Sequence, residues 1–385
     1  MIIIGGGIIG ASFAWHLRRQ GVDELVVMAD ALPGDPKQAT SGTWGWVNGY
    51  ADDDPEYAAF RLASLRYWPQ MIRQIEGLHA TAEGAYIWDL DETALPKSIR
   101  QHRDWGHDVS LVSGADIRHA LPVLKDCPEQ AGLGRHDLAI EGKTAAHAML
   151  AASGAPLQEV KINRLIRQGN RITGVETDQG IVTGDEVILA AGLGTPALLD
   201  GIDVDFAMRS SLGLLAYTQV LPPLLDHPVA GVDFHARQDQ DGRLVIGGAF
   251  TATADDDPDP QTSAENLVAA MAARLDDQGL VDQGIDDKGA IRLDHFTLGR
   301  RPLPMDGRPK IGRVRARDGA AIDGLYMAVM HSGVTNAPLA GRLGAHEVIT
   351  GQRDPLLLAF APQPIDPQDD QAMTQQPDQP PKGQL

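Results

Sequence analysis

Ile2, Ile3 and Ile4 form a short apolar run of β-branched residues, the pattern of a strand buried on both faces. Glycines follow at once. Ile9, Phe13 and Leu17 then recur at helical spacing until Gly21 offers a stop. Leu25 to Met28 reads as a second buried strand. Together these pieces make a strand–helix–strand unit of about thirty residues.

Farther along, Asp52 to about Leu121 carries several helical patterns rich in Trp and Tyr, and an apolar segment runs from Thr144 to Ala152. Ile162 to Val175 predicts two strands with a turn at Gln168-Gly169-Asn170. Val187 to Gly192 is another buried strand with a small-residue end. Thr195-Pro196 after it predicts a helix start, with Thr as cap and Pro at the first helical position. Strands and turns fill Met208 to Gly248. Asp255 to Pro260 is an acidic loop, Leu267 to Leu275 an amphipathic helix, Gly324 to Val329 a strand, and Pro338 to Ile349 a final helix. After about Pro362 the chain turns to Pro, Gln and Asp, which predicts disorder.

A chain of 385 residues exceeds one ordinary core, so two domains are expected. Lys plus Arg is 33 and Asp plus Glu is 52, a net charge of −19. That balance repels nucleic-acid phosphates, and basic clusters with interleaved aromatics are missing. The single cysteine, Cys127, excludes an internal disulfide and fits a reducing compartment. The N-terminus lacks the basic and small-residue marks of a signal peptide, and no apolar run nears the ~18 residues of a membrane span. A cytoplasmic enzyme is expected. His346-Glu347 lacks the second His of a zinc helix, and the Asp-rich stretches lack calcium-loop spacing, so no metal site is expected.

Gly5, Gly7 and Gly10 fit G-x-G-x-x-G between the first strand and helix. Gly5 permits the tight turn, Gly7 lets backbone approach a pyrophosphate, and Gly10 lets the helix pack close. The helix start offers free N–H groups to phosphate. Asp30, twenty residues beyond Gly10, ends the second strand, where a carboxylate accepts from ribose hydroxyls. The motif does not separate FAD from a nicotinamide cofactor.

Four blocks make the chain resemble the D-amino-acid oxidase family of FAD-dependent oxidoreductases, which includes glycine oxidase, sarcosine oxidase and D-amino-acid dehydrogenases. They are IIIGGGIIGASFAWHL with VVMAD; ATSGTWGWVN; VKINRLIRQGNRITGVETDQG with DEVILAAG; and LGRRPLPMDGRPKIG with DGLYMAVMHSGVTNAP. The resemblance spans Met1 to about Gly351. It implies an α/β fold, in which an FAD-binding Rossmann-like domain is interleaved with an antiparallel-sheet substrate domain. The FAD domain is expected from about 1–50, 132–205 and 295–356, the substrate domain from 51–131 and 206–294, and a disordered tail from 357–385.

The same resemblance implies the site. Thr40 and Ser41 would meet phosphate or ribose, and Trp44 and Gly45 would approach the flavin ring. Ile162 would pair with the adenine, and Ala190, Ala191 and Gly192 would pass close to the dinucleotide. Gly333, Val334 and Thr335 would bring the last helix to the ring. Arg301 would bind a substrate carboxylate through its planar fork, with Arg300 beside it as the rival. His331 is a candidate catalytic residue. Met330 to Thr335 departs from the family's common G-H-x-x-x-G pattern, which leaves substrate identity open. No attachment residue matches, so FAD is expected to be non-covalent.

The implied reaction moves a hydride from the amine-bearing carbon of a small amine or amino acid to flavin N5, giving an imine that hydrolyses. Oxygen or a carrier would accept the electrons. Two alternatives stand: a nicotinamide-dependent dehydrogenase, and a non-catalytic flavin-binding subunit of a larger complex. Oligomer formation is compatible with either.

Overall fold

The computed structural model describes residues 1–51, 53–248, 259–282, 284–285 and 291–362. Two sheets of nine strands each organise them. In the first, Ile2–Ile4 sits between Val26–Ala29 and Val187–Leu189, all parallel. Leu157–Glu159 extends it beyond Val26–Ala29, and Ala321–Val329 beyond Val187–Leu189, again parallel. The Ile162–Gln168 and Arg171–Thr177 hairpin joins at the far edge. Its inner strands read as continuous apolar runs because both faces are covered.

The helix Ile8–Arg19 lies against the last long helix, Gly333–Thr350. Glycines set that approach. A Cβ at Gly341 would stand 2.2 Å from Ser12 Oγ, and one at Gly344 would stand 2.3 Å from Phe13 Cζ. Ser12 Oγ donates to Ala337 O at 2.6 Å. The helix Pro55–Gln74 closes the same apolar cluster with Phe60, Leu65 and Trp68.

The second sheet runs Leu293–Pro304, Met208–Thr218, Leu244–Gly248, Phe234–Gln238, Val229–Gly231, Ala82–Trp88, Gln130–Ala139, Trp46–Val47. It is antiparallel except where Val229–Gly231 pairs in parallel with Ala82–Trp88. The helix Pro260–Arg274 covers one face through Ala264, Val268 and Met271.

Several expectations change. Gln130–Ala139 and Leu293–Pro304 hydrogen-bond into the second sheet, so the expected boundaries at 132 and 295 fall within strands of that sheet. The stretch read as helical from Asp52 to Leu121 also holds the strands Ala82–Trp88 and Val109–Ser113. Gly84, at φ 79°, breaks the alternation there, and the register slips between Glu83 and Ala85. The last helix begins at Gly333 rather than Pro338, and the proline sits inside it. Thr195 does not cap; it is the first helical residue, after Gly194. Residues 357–360 are not tail: Leu357 and Phe360 are fully buried, in a 3-10 turn that spans Pro355–Phe360. Most of the acidic loop at Asp255, and the chain from 363 onward, fall outside the described residues.

Candidate active site

The inner parallel strands end on one side, and the residue after each helps wall a single cavity of about 1200 Å³. Gly5 follows Ile4, Asp30 follows Ala29, Ala190 follows Leu189 and Met330 follows Val329. Ligands of open α/β sheets bind outside these carboxyl ends.

The glycine loop is packed backbone on backbone. Gly5 has φ 116°, and a Cβ there would stand 2.3 Å from Ala190 O. A Cβ on Gly10 would stand 2.0 Å from Gly5 O. Gly7 opens the first helix, and the amide of Ile8 donates to Thr40 Oγ1 at 3.0 Å. Thr40 therefore ties the small-residue loop to the helix tip. Asp30 is exposed at the rim. Gln38 Nε2 donates to Ala31 O at 2.5 Å, while its Oε1 is buried with no partner.

The loop Gly42 to Gly45 packs against Gly299 of the second sheet and leads into its strand Trp46–Val47. A Cβ on Gly42 would meet Gly299 Cα at 2.7 Å. Gly45, at φ 77°, leaves no room beside Ile140 O, 2.1 Å from its missing Cβ. Arg237, fully buried, donates from Nε to Trp44 O at 2.6 Å and from Nη1 to Glu141 Oε1 at 2.6 Å. Trp46 Nε1 donates to Asp137 Oδ2 at 3.2 Å, and His107 Nε2 holds the other oxygen at 2.8 Å. Trp44 and Trp46 thereby become a fixed wall, with ring centroids 5.7 Å apart.

Arg301 projects from Leu293–Pro304 opposite Ser211. Its Nη2 donates to Leu212 O at 3.1 Å, and its Nε is buried with no partner. Among the described residues no carboxylate pairs with it. Burial alone pulls its pKa below the usual arginine value. Arg300, its neighbour, also lines the cavity but is exposed. Near Arg301, His235 lies edge-on to Trp44 at 4.5 Å, with Nδ1 buried and unpartnered. Burial first, then the charges of Arg301 and Arg237, hold His235 down at about 3.

The last helix starts with Ser332 in the left-handed region at φ 53°. His331 Nδ1 lies 2.9 Å from Ser332 Oγ. Gly333, Val334 and Thr335 line the cavity, and Thr335 Oγ1 donates to Trp46 O at 3.2 Å.

The cavity thus gathers Gly5, Gly7, Asp30, Thr40, Trp44, Gly45, Ile162, Ala190, Ala191, Gly192, Arg301, His331, Gly333, Val334 and Thr335. Gly10 stands behind the wall as a packing residue. Ser41 is not on the wall: its Oγ accepts from Gly34 N at 3.1 Å within its own loop. Cys127 is absent from the wall and packs against the second core. His235, Arg237, Asn48 and Arg61 are missed by sequence reasoning. The signal available was polar residues inside otherwise apolar stretches: alternate positions of Phe-His-Ala-Arg-Gln, and one arginine in Ala-Ala-Phe-Arg-Leu.

Two imidazoles make the fold acid-sensitive. His16, buried and near Arg342 and Arg19, is also pushed down to about 3. Unfolded, both titrate near 6.5. Below that pH the unfolded chain binds protons that the fold refuses, so stability falls as pH drops from about 6.5 toward 3. Each should cost about 2 kcal/mol by pH 5. Thermal midpoints across this range measure it. A His235→Gln variant should show a shallower decline, and a flat wild-type curve would count against both assignments.

The residues fit FAD. One cavity is walled by the glycine cradle, a second helix tip and two tryptophans, with the lone pair of Gln38 Oε1 and the N–H of Trp44 Nε1 unsatisfied. The described residues hold no group of three or more potential metal ligands, and no helix among them is long and apolar enough to cross a membrane.

The family model named DAO, FAD dependent oxidoreductase, matches residues 1–347. A subunit of the opine oxidase of Rhizobium meliloti is 26 % identical over 394 residues, covering 96 % of this chain and 98 % of that one. Glycine oxidase of Pseudomonas putida is 25 % identical over 338 residues, covering 83 % and 87 %. The crystal structure of glycine oxidase from Bacillus cereus superposes with a TM-score of 0.74 at 22 % identity, covering 95 % and 99 %.

Proposed function

The chain belongs to the DAO family of FAD-dependent oxidoreductases, and from that premise we propose that it oxidises the carbon–nitrogen bond of a small, carboxylate-bearing amine or amino acid. The nicotinamide alternative falls away with the family. The observation that carries the substrate reading is Arg301, a mostly buried guanidinium with an orphaned Nε and no carboxylate partner among the described residues. A buried charge is costly until paired, so the site is built for an anion.

The residues proposed to hold the cofactor non-covalently are Gly5, Gly7, Asp30, Thr40, Ile162, Ala190, Ala191, Gly192 and Gly333 to Thr335, with Gly10 keeping the first helix close. Bound FAD supplies a hydride acceptor at N5. The chain's part is orientation. Arg301 fixes the carboxylate, and Trp44 and Trp46 exclude water from the reacting face. His235 stays neutral at working pH, so it adds no positive charge beside the amine, which must give its ammonium proton to solvent before its lone pair can support hydride loss. The amide tip at Gly333 to Thr335 favours negative charge at the ring. His331, engaged with Ser332, shapes the wall. The imine product leaves and hydrolyses.

The test is anaerobic mixing of the yellow protein with D-amino acids, glycine, sarcosine, proline and iminodiacetate. At least one should bleach the flavin absorbance. If none does, the amine assignment fails. The opine oxidase relative is one subunit of its enzyme, which supports a second reading, in which the chain works inside a complex. Bleaching without multiple turnover by the purified chain would favour it.

A further inference from the structure

We propose that Arg61 is the charge that sets the reduction potential of the bound flavin, with Asn48 as its positioning residue. This rests on the ring lying at the Trp44 and Thr335 end of the cavity, as proposed above.

Arg61 and Arg237 are the arginines among the largest fully buried side chains. Arg237 is compensated by Glu141. Arg61 is not: among the described residues no carboxylate pairs with it. Its Nη2 donates to Asn48 Oδ1 at 2.6 Å, its Nη1 reaches Tyr57 OH at 3.4 Å, and its Nε is buried without a partner. An amide and a phenol orient a guanidinium but leave its charge undischarged. Both Arg61 and Asn48 line the cavity.

The same network reaches the last helix. Tyr57 OH accepts from Asn336 Nδ2 at 3.0 Å, and Ser64 Oγ donates to Thr335 O at 2.7 Å. Arg61 therefore stands beside the amide tip of Gly333–Thr350, whose partial charge has the same sign. Two sources of positive potential meet on one wall.

The anion they await is the ring and not the substrate carboxylate. Arg301 and His235 lie on the second sheet. A run of ring contacts leads from His235 toward the Asn48 loop: His235 to Trp44 at 4.5 Å, Trp44 to Trp46 at 5.7 Å, Trp46 to Tyr50 at 5.6 Å. Asn48, which holds Arg61, sits at the end of that run, its Oδ1 accepting from Tyr50 N at 3.0 Å. A flavin that gains two electrons and one proton is an anion, with its charge on the pyrimidine edge. A fixed cation nearby favours that form and raises the potential.

The experiment uses the holoprotein. Sulfite, which adds to oxidised flavin to give an anionic adduct, is the probe, alongside a dye-equilibrated potential measurement. Arg61→Gln should weaken sulfite binding about tenfold, matching a fall of about 30 mV in the two-electron potential. Arg61→Lys keeps the charge and should stay within about threefold of wild type. Acetate, probing the carboxylate site, should bind Arg61→Gln unchanged. The proposal is overturned by an unchanged potential in Arg61→Gln, by weakened acetate binding at unchanged potential, by a lysine variant as impaired as the glutamine one, or by loss of FAD from Arg61→Gln alone. A wild-type protein that carries FAD yet is bleached by no amine overturns the substrate reading instead and leaves this test intact.

Discussion

Arg301→Ala is expected to lower kcat/KM for a carboxylate-bearing amine by about a hundredfold or more while FAD stays bound. Truncating one member of a buried, hydrogen-bonded charge pair costs about 2–5 kcal/mol, and each 1.4 kcal/mol is about tenfold. Arg301 contributes through two features. Its guanidinium is poorly hydrated, so a substrate carboxylate meets little competing water. Its fork is preorganised by the bond from Nη2 to Leu212 O and by the open space above Gly213, where a Cβ would stand 3.3 Å from Cζ. Arg301→Lys keeps charge without the fork, so an intermediate loss of about tenfold is expected. The ligand-free protein should respond in the opposite sense. Arg301→Leu removes an unpaired charge from the interior and should leave the thermal midpoint unchanged or higher. Steady-state kinetics with the best amine of the bleaching panel, plus a melting curve, measures both. Unaltered apparent affinity for carboxylate substrates would retire the assigned role.

Gly10→Ala is expected to strip FAD from the purified protein and to lower its thermal midpoint by several degrees. The added Cβ would lie 2.0 Å from Gly5 O, and neither atom belongs to a side chain that can swing away. Gly5 is held from behind: its amide donates to Met28 O at 2.8 Å, and its own Cα faces Ala190 O. The helix Ile8–Arg19 must therefore retreat, yet Ser12 and Phe13 bind it to Gly341 and Gly344. Overpacking a core with a flexible side chain costs about 1–3 kcal/mol; backbone against backbone belongs at the upper end. Displacing the helix tip also takes its N–H groups away from the proposed diphosphate site. Gly194→Ala is the control. It lines the cavity with φ −77°, and its nearest contact would be Ala191 Cβ at 3.7 Å, so FAD should remain. A Gly10→Ala protein with stoichiometric FAD and a wild-type midpoint would contradict this account of the turn.

Elements whose burial repeats within a short window were readable from the chain. Ile2 to Ile4, the Ile9–Phe13–Leu17 stripe and the hairpin about Gly169 each carry their pattern in a few consecutive residues, and each forms. Ala82–Trp88 was not readable, because Gly84 interrupts its alternation and its partner strand, Gln130–Ala139, lies some fifty residues away. Pro338 masked the start of the last helix, since a proline reads locally as a first-turn residue whatever precedes it.

The sequence by itself determined the glycine turn between the first strand and helix, the acidic residue after the second strand and the family, because glycine spacing and strand patterns are local. Only the tertiary structure decided that Arg301 is the more buried of two adjacent arginines that both line the cavity, that Ser41 bonds within its own loop, and that His235 and Arg61 are buried polar groups on the cavity wall while Arg237 is buried under Trp44. The reason is electrostatic. A side chain's charge is written in the sequence, but its pairing depends on neighbours brought from afar, as Arg237 finds Trp44 and Glu141 while Arg61 and Arg301 find no carboxylate among the described residues.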